Sequence, residues 1–180
     1  ASLVYTLSYQ GKLSDYLTIN AGAGINNNYE NWYTSVVSSS SRSGGPGKIS
    51  STPNVKGNID FLAEISNLIP KNTLLAGIGF EATTSETKEH NLYDWEDPDA
   101  LDEIVYKSAG QSANGGIFIN DEFTIIKDAG ILENLILNAG LRFDYWRTMN
   151  GMNRDYTNSK VNNHYTDHSK FSLSPRAGLT

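Results

Sequence analysis

The chain is organised by an alternation of apolar and polar residues, seen most clearly in "LILNAGLRFDYW", residues 135 to 146. Every odd position from Leu135 to Tyr145 is apolar, and the even positions from 138 to 144 carry Asn, Gly, Arg and Asp. Because successive side chains of a strand point to opposite faces, the pattern predicts a strand with one apolar and one polar face. Either a protein core or lipid would suit the apolar face.

The same alternation recurs in six further stretches, so about seven strands are predicted. The other six cover residues 3–9, 17–25, 55–65, 74–82, 117–125 and 171–179. The stretch 117–125 is less regular, because Asp121 shares its face with apolar residues on both sides. Either this carboxylate lies near an interface, or a β-bulge shifts the register there.

The connections between the predicted strands alternate in length. Three are short, namely "GKLSD", "SNLIPKN" and "KDAGILEN", and three are long, covering residues 26–54, 85–110 and 147–169. All short turns then fall at one end of a meander, which is typical of a barrel with short periplasmic turns and long extracellular loops. The predicted fold is an all-β, antiparallel, up-and-down transmembrane β-barrel segment, with residues 1–180 as one partial barrel domain and no separate second domain.

Composition narrows the classes of protein that fit this pattern. The 180 residues have a mean hydropathy of −0.41 and contain no run of 18 apolar residues, which excludes a bundle of membrane helices but not a membrane barrel. The net charge of −6 argues against a nucleic-acid partner, because phosphate contacts need clustered Lys and Arg. The chain has no cysteine, so it has neither disulfides nor thiolate metal sites.

Aromatic residues and glycines add two expectations. Tyr and Trp residues near the strand ends that lead into long loops predict an aromatic belt at the membrane interface, formed by Tyr29, Trp32, Tyr33, Tyr145 and Trp146. Several glycines occupy inward positions and weaken their strands, namely Gly22, Gly24, Gly77, Gly79 and Gly140. Either the wall bends at these glycines, or something inside the barrel approaches the backbone closely.

Three motifs in the last 70 or so residues resemble the barrel of TonB-dependent outer-membrane receptors of Gram-negative bacteria. The first is an Asp-Glu-aromatic motif at Asp121–Phe123. The second is an Asn-Leu-x-Leu-x-x-Gly-Leu-Arg-aromatic-Asp strand from Asn134 to Asp144. The third is a Ser-Pro-Arg-x-Gly motif from Ser174 to Gly178.

The resemblance implies a barrel of about 22 strands, of which this chain would supply about a third. It implies location in the bacterial outer membrane and a non-enzymatic role in importing a scarce ligand such as a siderophore, glycan or peptide. The implied partners are outer-membrane lipid, the remainder of the barrel, a plug domain, the TonB protein and the ligand. Plug and TonB box would lie outside this stretch.

Two alternatives stay open on the sequence. A passive outer-membrane pore or surface adhesion barrel would share the strands and loops but lack a plug and a TonB box. A secreted β-sandwich would bury Leu135, Leu137 and Leu141 against a second sheet, and would bind carbohydrate through Trp32, Trp95 and nearby Tyr residues.

The predicted lumen face carries charged residues of both signs. They are Asp60, Glu64, Glu81, Arg142, Asp144 and Arg176. Opposite charges on neighbouring strands form structural ladders, or they contact a ligand or a plug. The candidate ligand-binding residues in the lumen or loops are Arg142, Asp144, Glu81, Arg176, Trp32 and Trp95.

Candidate metal ligands are weaker. The loop "HNLYDWEDPDALDEIVY" concentrates Asp94, Glu96, Asp97 and Asp99, whose oxygens suit Ca²⁺, but it lacks EF-hand spacing and is otherwise a solvated acidic loop. Residues 99–106 suggest a short helix capped by Asp99. His164 and His168, with Asp167 between them, would offer two imidazoles only if that segment were helical. No catalytic set is evident, and no cofactor is predicted apart from Ca²⁺ in the acidic loop.

Overall fold

The computed structural model describes residues 1–67, 69–129, 132–158 and 160–180, which form one antiparallel sheet of ten strands. The strands are β1 (Leu3–Lys12), β2 (Leu17–Asn28), β3 (Trp32–Val36), β4 (Gly47–Ser51), β5 (Asn54–Ser66), β6 (Asn72–Leu92), β7 (Leu101–Ala129), β8 (Leu132–Asp155), β9 (Asn162–His164) and β10 (His168–Leu179). No helix long and apolar enough to cross a membrane occurs in these ranges, a finding that does not bear on strands.

Seven of these strands form the main path of the sheet, in the order β1-β2-β5-β6-β7-β8-β10. Each pairs with its neighbour in the antiparallel sense. These seven correspond to the predicted strands, which confirms the all-β meander. The sheet does not close on itself, so β1 and β10 are its two edges. We call the part of these seven strands that lies on the short-turn side of Ser85 in β6 the wall.

The register places the alternating apolar residues of all seven strands on one face. In the middle row, Tyr9, Ala21, Phe61, Ile78, Ile117, Phe143 and Leu173 lie directly opposite one another in turn. These side chains are not covered: Ile78 is 56% exposed, Leu137 39% and Leu141 44%. No second sheet packs on this outer face in the described residues, so the β-sandwich alternative is wrong.

Charge marks the two limits of the apolar face. Asp121 lies in the row of Ala139, near the short turns, and its carboxylate accepts a hydrogen bond from the Asn72 amide. Arg147 lies eight residues further along β8, about 27 Å along the strand, and the described outer rows between the two carry no charge. A tilt near 45° reduces this to about 20 Å, close to the apolar band of a membrane barrel. Asp121 therefore lies at the short-turn margin of the uncharged outer rows, and a register shift of β7 against β8 follows between Thr124 and Ile126.

The long connections contain more strand than the sequence indicated. β6 and β7 continue to Leu92 and from Leu101, so residues 85–110 form mainly a hairpin, and β8 runs to Asp155. The helix predicted over residues 99–106 is absent, because Leu101–Tyr106 pairs with β6 as strand. β3 and β4 form a hairpin within residues 26–54 whose β4 strand pairs with β6. We call the parts of β6, β7 and β8 on the long-loop side of Ser85, together with β3, β4 and β9, the tip.

The short turns agree with the prediction where the structure describes them. Leu13–Tyr16 joins β1 to β2, with the Leu13 N–H donating to the Leu17 carbonyl at 2.9 Å. The turn from β5 to β6 begins at Asn67 and ends at Lys71, both of which have positive φ. The third predicted turn, "KDAGILEN", falls partly outside the described residues.

Candidate functional site

A cavity of about 470 Å³ lies on the inner face of the wall, across the centres of β5, β6, β7 and β8. Its floor is formed by one row of the sheet, in which Asp60, Gly79, Gly116 and Asp144 lie directly opposite one another. In this row, two carboxylates are thus separated by two glycines. We call this the glycine-floored cavity.

The rows on either side supply its walls. Toward the long loops lie Asn58, Glu81, Asn114 and Trp146, and toward the short turns lie Leu62, Phe118 and Arg142. The cavity therefore offers amide and carboxylate oxygens, an indole, a phenyl ring and a guanidinium. Such a mixture of a few polar groups with aromatic surface is typical of a small-molecule site.

Arg142 and Asp144 meet in this cavity as an ion pair on one strand. The Arg142 Nη2 lies 2.8 Å from the Asp144 Oδ1, and Nε lies 2.9 Å from both carboxylate oxygens. Both residues lie on one face because they are two positions apart on β8. The pair is partly exposed, so its contribution to stability is small, and its orientation of the guanidinium matters more.

Glu81 belongs to the same cavity but has a different partner. Its carboxylate lies 2.6 Å from the Lys56 Nζ of the neighbouring strand β5. The margin of the cavity thus carries three carboxylates, from Asp60, Glu81 and Asp144, against the cations of Arg142 and Lys56. The margin of the cavity therefore carries a small excess of negative charge.

Arg176 lies outside this cavity, on the edge strand β10. Its Nε donates to the Asn120 Oδ1 at 3.0 Å, across the intervening strand β8. Gly140 lies directly between the two residues in the row, and a Cβ there would be 2.7 Å from the Asn120 oxygen and 2.9 Å from the Arg176 Nε. Gly140 is thus required for a close side-chain contact.

The same explanation covers most of the inward glycines. A Cβ on Gly22 would lie 2.7 Å from an oxygen of Asp60, and one on Gly24 equally close to Asn58. At Gly77 the ring of Phe118 would lie 2.5 Å away. In each case the contacting residue is the direct cross-strand partner. Neighbouring side chains lie flat over these glycines, whereas Gly79 has open space above it.

The two tryptophans proposed as loop contacts do not come together. Trp32 begins β3 opposite Ser51, while Trp95 packs on Gly47 at the other end of the same hairpin and donates through Nε1 to the Ser41 carbonyl at 3.1 Å. Neither lies near the glycine-floored cavity. Tyr145 faces outward, but Trp146 shares the face of Asp144, so its assignment to the aromatic belt is wrong.

Carboxylates of the acidic loop accept hydrogen bonds from backbone N–H groups, both of the loop itself and of Gly45 in the 26–54 connection. Asp94 accepts hydrogen bonds from the N–H groups of Gly45 and Glu96, and Asp97 accepts one from Asp99. Among the residues described, no three Asp, Glu or His side chains form a group that could hold a metal ion. The Asp102 carboxylate hydrogen-bonds the nearby Tyr93 hydroxyl and raises the pKa of that phenol.

The segment around His164 is also extended. His164 lies in β9 and His168 begins β10, so the helical spacing that would bring their imidazoles together does not form. Asp167 instead accepts hydrogen bonds from the Arg147 Nη2 at 2.8 Å and from the Asn150 N–H at 3.1 Å. These two donors hold the pKa of Asp167 below its usual range.

The family is settled by a match over the whole chain. The family model described as "TonB dependent receptor-like, beta-barrel" matches residues 1–180. The chain belongs to this family. Members of the TonB-dependent receptor family are outer-membrane transporters, not enzymes.

A solved structure supports the same fold. The chain is similar to the crystal structure of the ferric citrate transporter FecA in its unliganded form, with a TM-score of 0.57 and 12% identity. The match covers 99% of this chain and 24% of that protein, so the chain spans about a quarter of its length. Among curated proteins, none matches.

Several lining residues of this TonB-dependent barrel segment escaped the sequence reasoning. Trp146, Asn58 and Asn114 occupy inward positions of their strands, and counting alternate residues from Asp144 would have placed Trp146 inside. Phe118 and Leu62 went unnoticed because the inner face was expected to be polar throughout. Their positions follow from the register alone.

Proposed function

We propose that the chain forms part of the wall and the outer loops of an energised outer-membrane transporter, which binds a scarce ligand and imports it. The observation that carries the proposal is the single sheet with an uncovered apolar outer face and a polar, cavity-bearing inner face. In water such an outer face would be a large exposed apolar surface, whereas lipid covers it at no cost. The long-loop end is then extracellular.

The open edges fit a larger barrel. Unpaired strand edges in a bilayer leave N–H and C=O groups without partners, so β1 and β10 require further strands. Family membership supports the proposed partners, namely lipid, the rest of the barrel, a plug and TonB. The ion pairs of the inner face then support the wall, and the glycine-floored cavity faces the lumen.

Liposome swelling separates a gated transporter from the passive-pore alternative. Full-length receptor is reconstituted in liposomes, which are diluted into an isosmotic arabinose solution. A lumen closed by a plug gives no swelling above that of protein-free liposomes. Rapid swelling would show an open pore and contradict the proposal. Removal of the plug segment provides the positive control, because it should open the lumen.

A further inference from the structure

A second cavity, of about 460 Å³, lies on the inner face directly above the glycine-floored cavity, toward the long loops. One row of the sheet runs through it, in which Thr83, Ser112, Thr148 and His168 lie opposite one another. That row follows immediately after the row of Glu81, Asn114 and Trp146. In the proposed barrel, an arriving ligand therefore meets this cavity before the deeper one.

The lining of this cavity is polar but carries no acidic or strongly basic side chain. Its inward side chains are hydroxyls of Ser and Thr, His168 and Tyr165, and no Asp, Glu, Lys or Arg of the described ranges lines it. Hydroxyl groups both donate and accept hydrogen bonds. We call it the hydroxyl-lined cavity, in contrast to the charged cavity below.

Tyr165 forms one wall of the hydroxyl-lined cavity. Its side chain lies over Gly151, where an added Cβ would be 3.1 Å from the Tyr165 Cβ, and its N–H donates to the Gly151 carbonyl at 2.7 Å. The residue remains 56% exposed. A glycine beneath it thus seats an aromatic ring with one free surface beside a row of hydroxyls.

The segment that carries Tyr165 is held in place by a network of hydrogen bonds. Asp167 binds both Arg147 and the Asn150 N–H, and the Asn150 Nδ2 donates to the Gln111 Oε1 at 2.8 Å. Asn150 has a φ of 54°, a conformation that Asn tolerates better than most residues. The network ties the returning segment to β7 and β8, so the cavity is formed before a ligand arrives.

From this lining we infer that the hydroxyl-lined cavity is a subsite for a neutral, polyhydroxylated ligand, a glycan, with Tyr165 as the surface on which a sugar ring packs. The inference rests on the proposed transport function and names its substrate class. An anion in this position would need a fixed cation. Arg147 faces outward, and Lys56, which lies next to Thr83 in the same row, is paired with Glu81 at 2.6 Å. A neutral glycan needs only donors and acceptors, which the rows of Ser and Thr provide.

The test is binding to full-length receptor in detergent, measured by isothermal titration calorimetry and a glycan array. The neutral probes are hexasaccharides of glucose, mannose, galactose and N-acetylglucosamine, and the anionic probes are oligogalacturonate and ferric citrate. We expect at least one neutral probe to bind, and Tyr165→Ala to weaken that binding about tenfold, while Tyr165→Phe keeps most of it. Tyr93→Ala is the matched control, because it removes an exposed tyrosine from the other side of the tip.

Three results would overturn the inference: binding of none of the neutral probes, binding of the anionic probes alone, or equal effects of Tyr165→Ala and Tyr93→Ala. Heat-modifiable migration in electrophoresis confirms that each variant is folded. A folded, inserted and gated receptor that fails these tests leaves the proposed transporter intact. A receptor that fails to insert or swells liposomes contradicts the transporter itself.

Discussion

The wall and the tip are built from the same three strands, β6, β7 and β8, yet they are stabilised differently. The only buried apolar residues of the described chain are Ile49, Leu92 and Val105, and all three lie in the tip. The wall, in contrast, exposes its large apolar side chains on one face and a polar cavity on the other. Each of these strands thus passes from a region whose apolar face is exposed, as suits contact with lipid, to a region with a small buried core, as suits a surrounding of water.

Charge changes at the same level as the core. The outward rows of the wall between those of Asp121 and Arg147 are uncharged, whereas in the tip Glu86 lies 2.5 Å from Lys88 and 2.7 Å from Lys107, and Lys48 pairs with Glu89 at 2.7 Å. The backbone hydrogen bonding is the same in both regions. The difference teaches that the solvent around a strand, and not its pairing, decides the composition of its faces.

The largest expected effect comes from a charge in the middle row of the wall. Ile78→Arg places a guanidinium at the centre of the apolar face and should cost about 2–4 kcal/mol of folding free energy in a bilayer. Leu137→Arg should cost only about 0–1 kcal/mol, because Leu137 pairs with Phe123 beyond the row of Asp121, near the short turns. Equilibrium unfolding of full-length receptor in liposomes measures both.

Ser172→Arg is the control for this comparison, because Ser172 lies on the inner face opposite Asp144, next to the outward Leu173. It should leave insertion unchanged. Equal costs at Ile78 and Ser172 would show that the outer face does not contact lipid.

A core mutation should affect the tip and spare the wall. Leu92 is 2% exposed, and Leu92→Ala should destabilise the tip by about 2 kcal/mol, at the low end for buried leucine because the core is small. Hydrogen exchange should rise in β3, β4 and the ends of β6 and β7, while the wall keeps its protection. Loss of protection throughout the barrel would show that wall and tip unfold as one unit.

Two glycines of the inner face should respond in opposite directions. Gly140→Ala forces a Cβ against Asn120 and Arg176 and should cost about 1–2 kcal/mol. Gly79→Ala meets nothing within 4 Å and should stabilise by up to about 1 kcal/mol, because alanine loses less backbone entropy on folding. Urea unfolding of the two refolded variants measures both changes in the free energy of unfolding. A loss of stability for Gly79→Ala as large as for Gly140→Ala would contradict the packing described for these two glycines.

The smallest expected effect is a pH dependence confined to the tip. Hydrogen bonds from Lys107 and then Lys88 lower the pKa of Glu86 from its ordinary value of 4.5. The ionised carboxylate therefore stabilises the tip at pH values above that ordinary pKa. This contribution is lost as the pH falls through the lower pKa of the folded state. Hydrogen exchange in the tip at pH 3 and pH 7 should show the loss, with an effect below about 1 kcal/mol. Glu86→Gln should abolish the difference.

Alternation predicted the wall because it depends only on the period of a strand. The tip was harder, since residues 86–92 and 101–110 lack a regular apolar–polar alternation and become strand by pairing with each other and with β4. The helix predicted over 99–106 placed Asp99 as its cap, but the β-branched Ile104 and Val105 favour strand, and Val105 enters the tip core.

Half of the candidate site followed from the sequence. Arg142, Asp144 and Glu81 lie around one cavity as their shared face indicated, while Arg176, Trp32 and Trp95 lie elsewhere. The contacts that lie over Gly22, Gly77 and Gly140 depend on which residues become cross-strand partners, and that register is set by the whole sheet. The role of Arg142, Asp144 and Glu81 as ligand contacts stays a prediction.

The most direct test of the central claim, that lipid covers the outer face, is a cysteine scan of β8 from residue 139 to 146. The chain has no cysteine of its own, which makes single spin labels straightforward once any elsewhere in the full-length receptor are replaced. In liposomes, labels at Ala139, Leu141, Phe143 and Tyr145 should be accessible to oxygen and shielded from a water-soluble nickel chelate, and labels at the even positions should show less oxygen access. A scan without this two-residue period, or with the period reversed, would contradict the account.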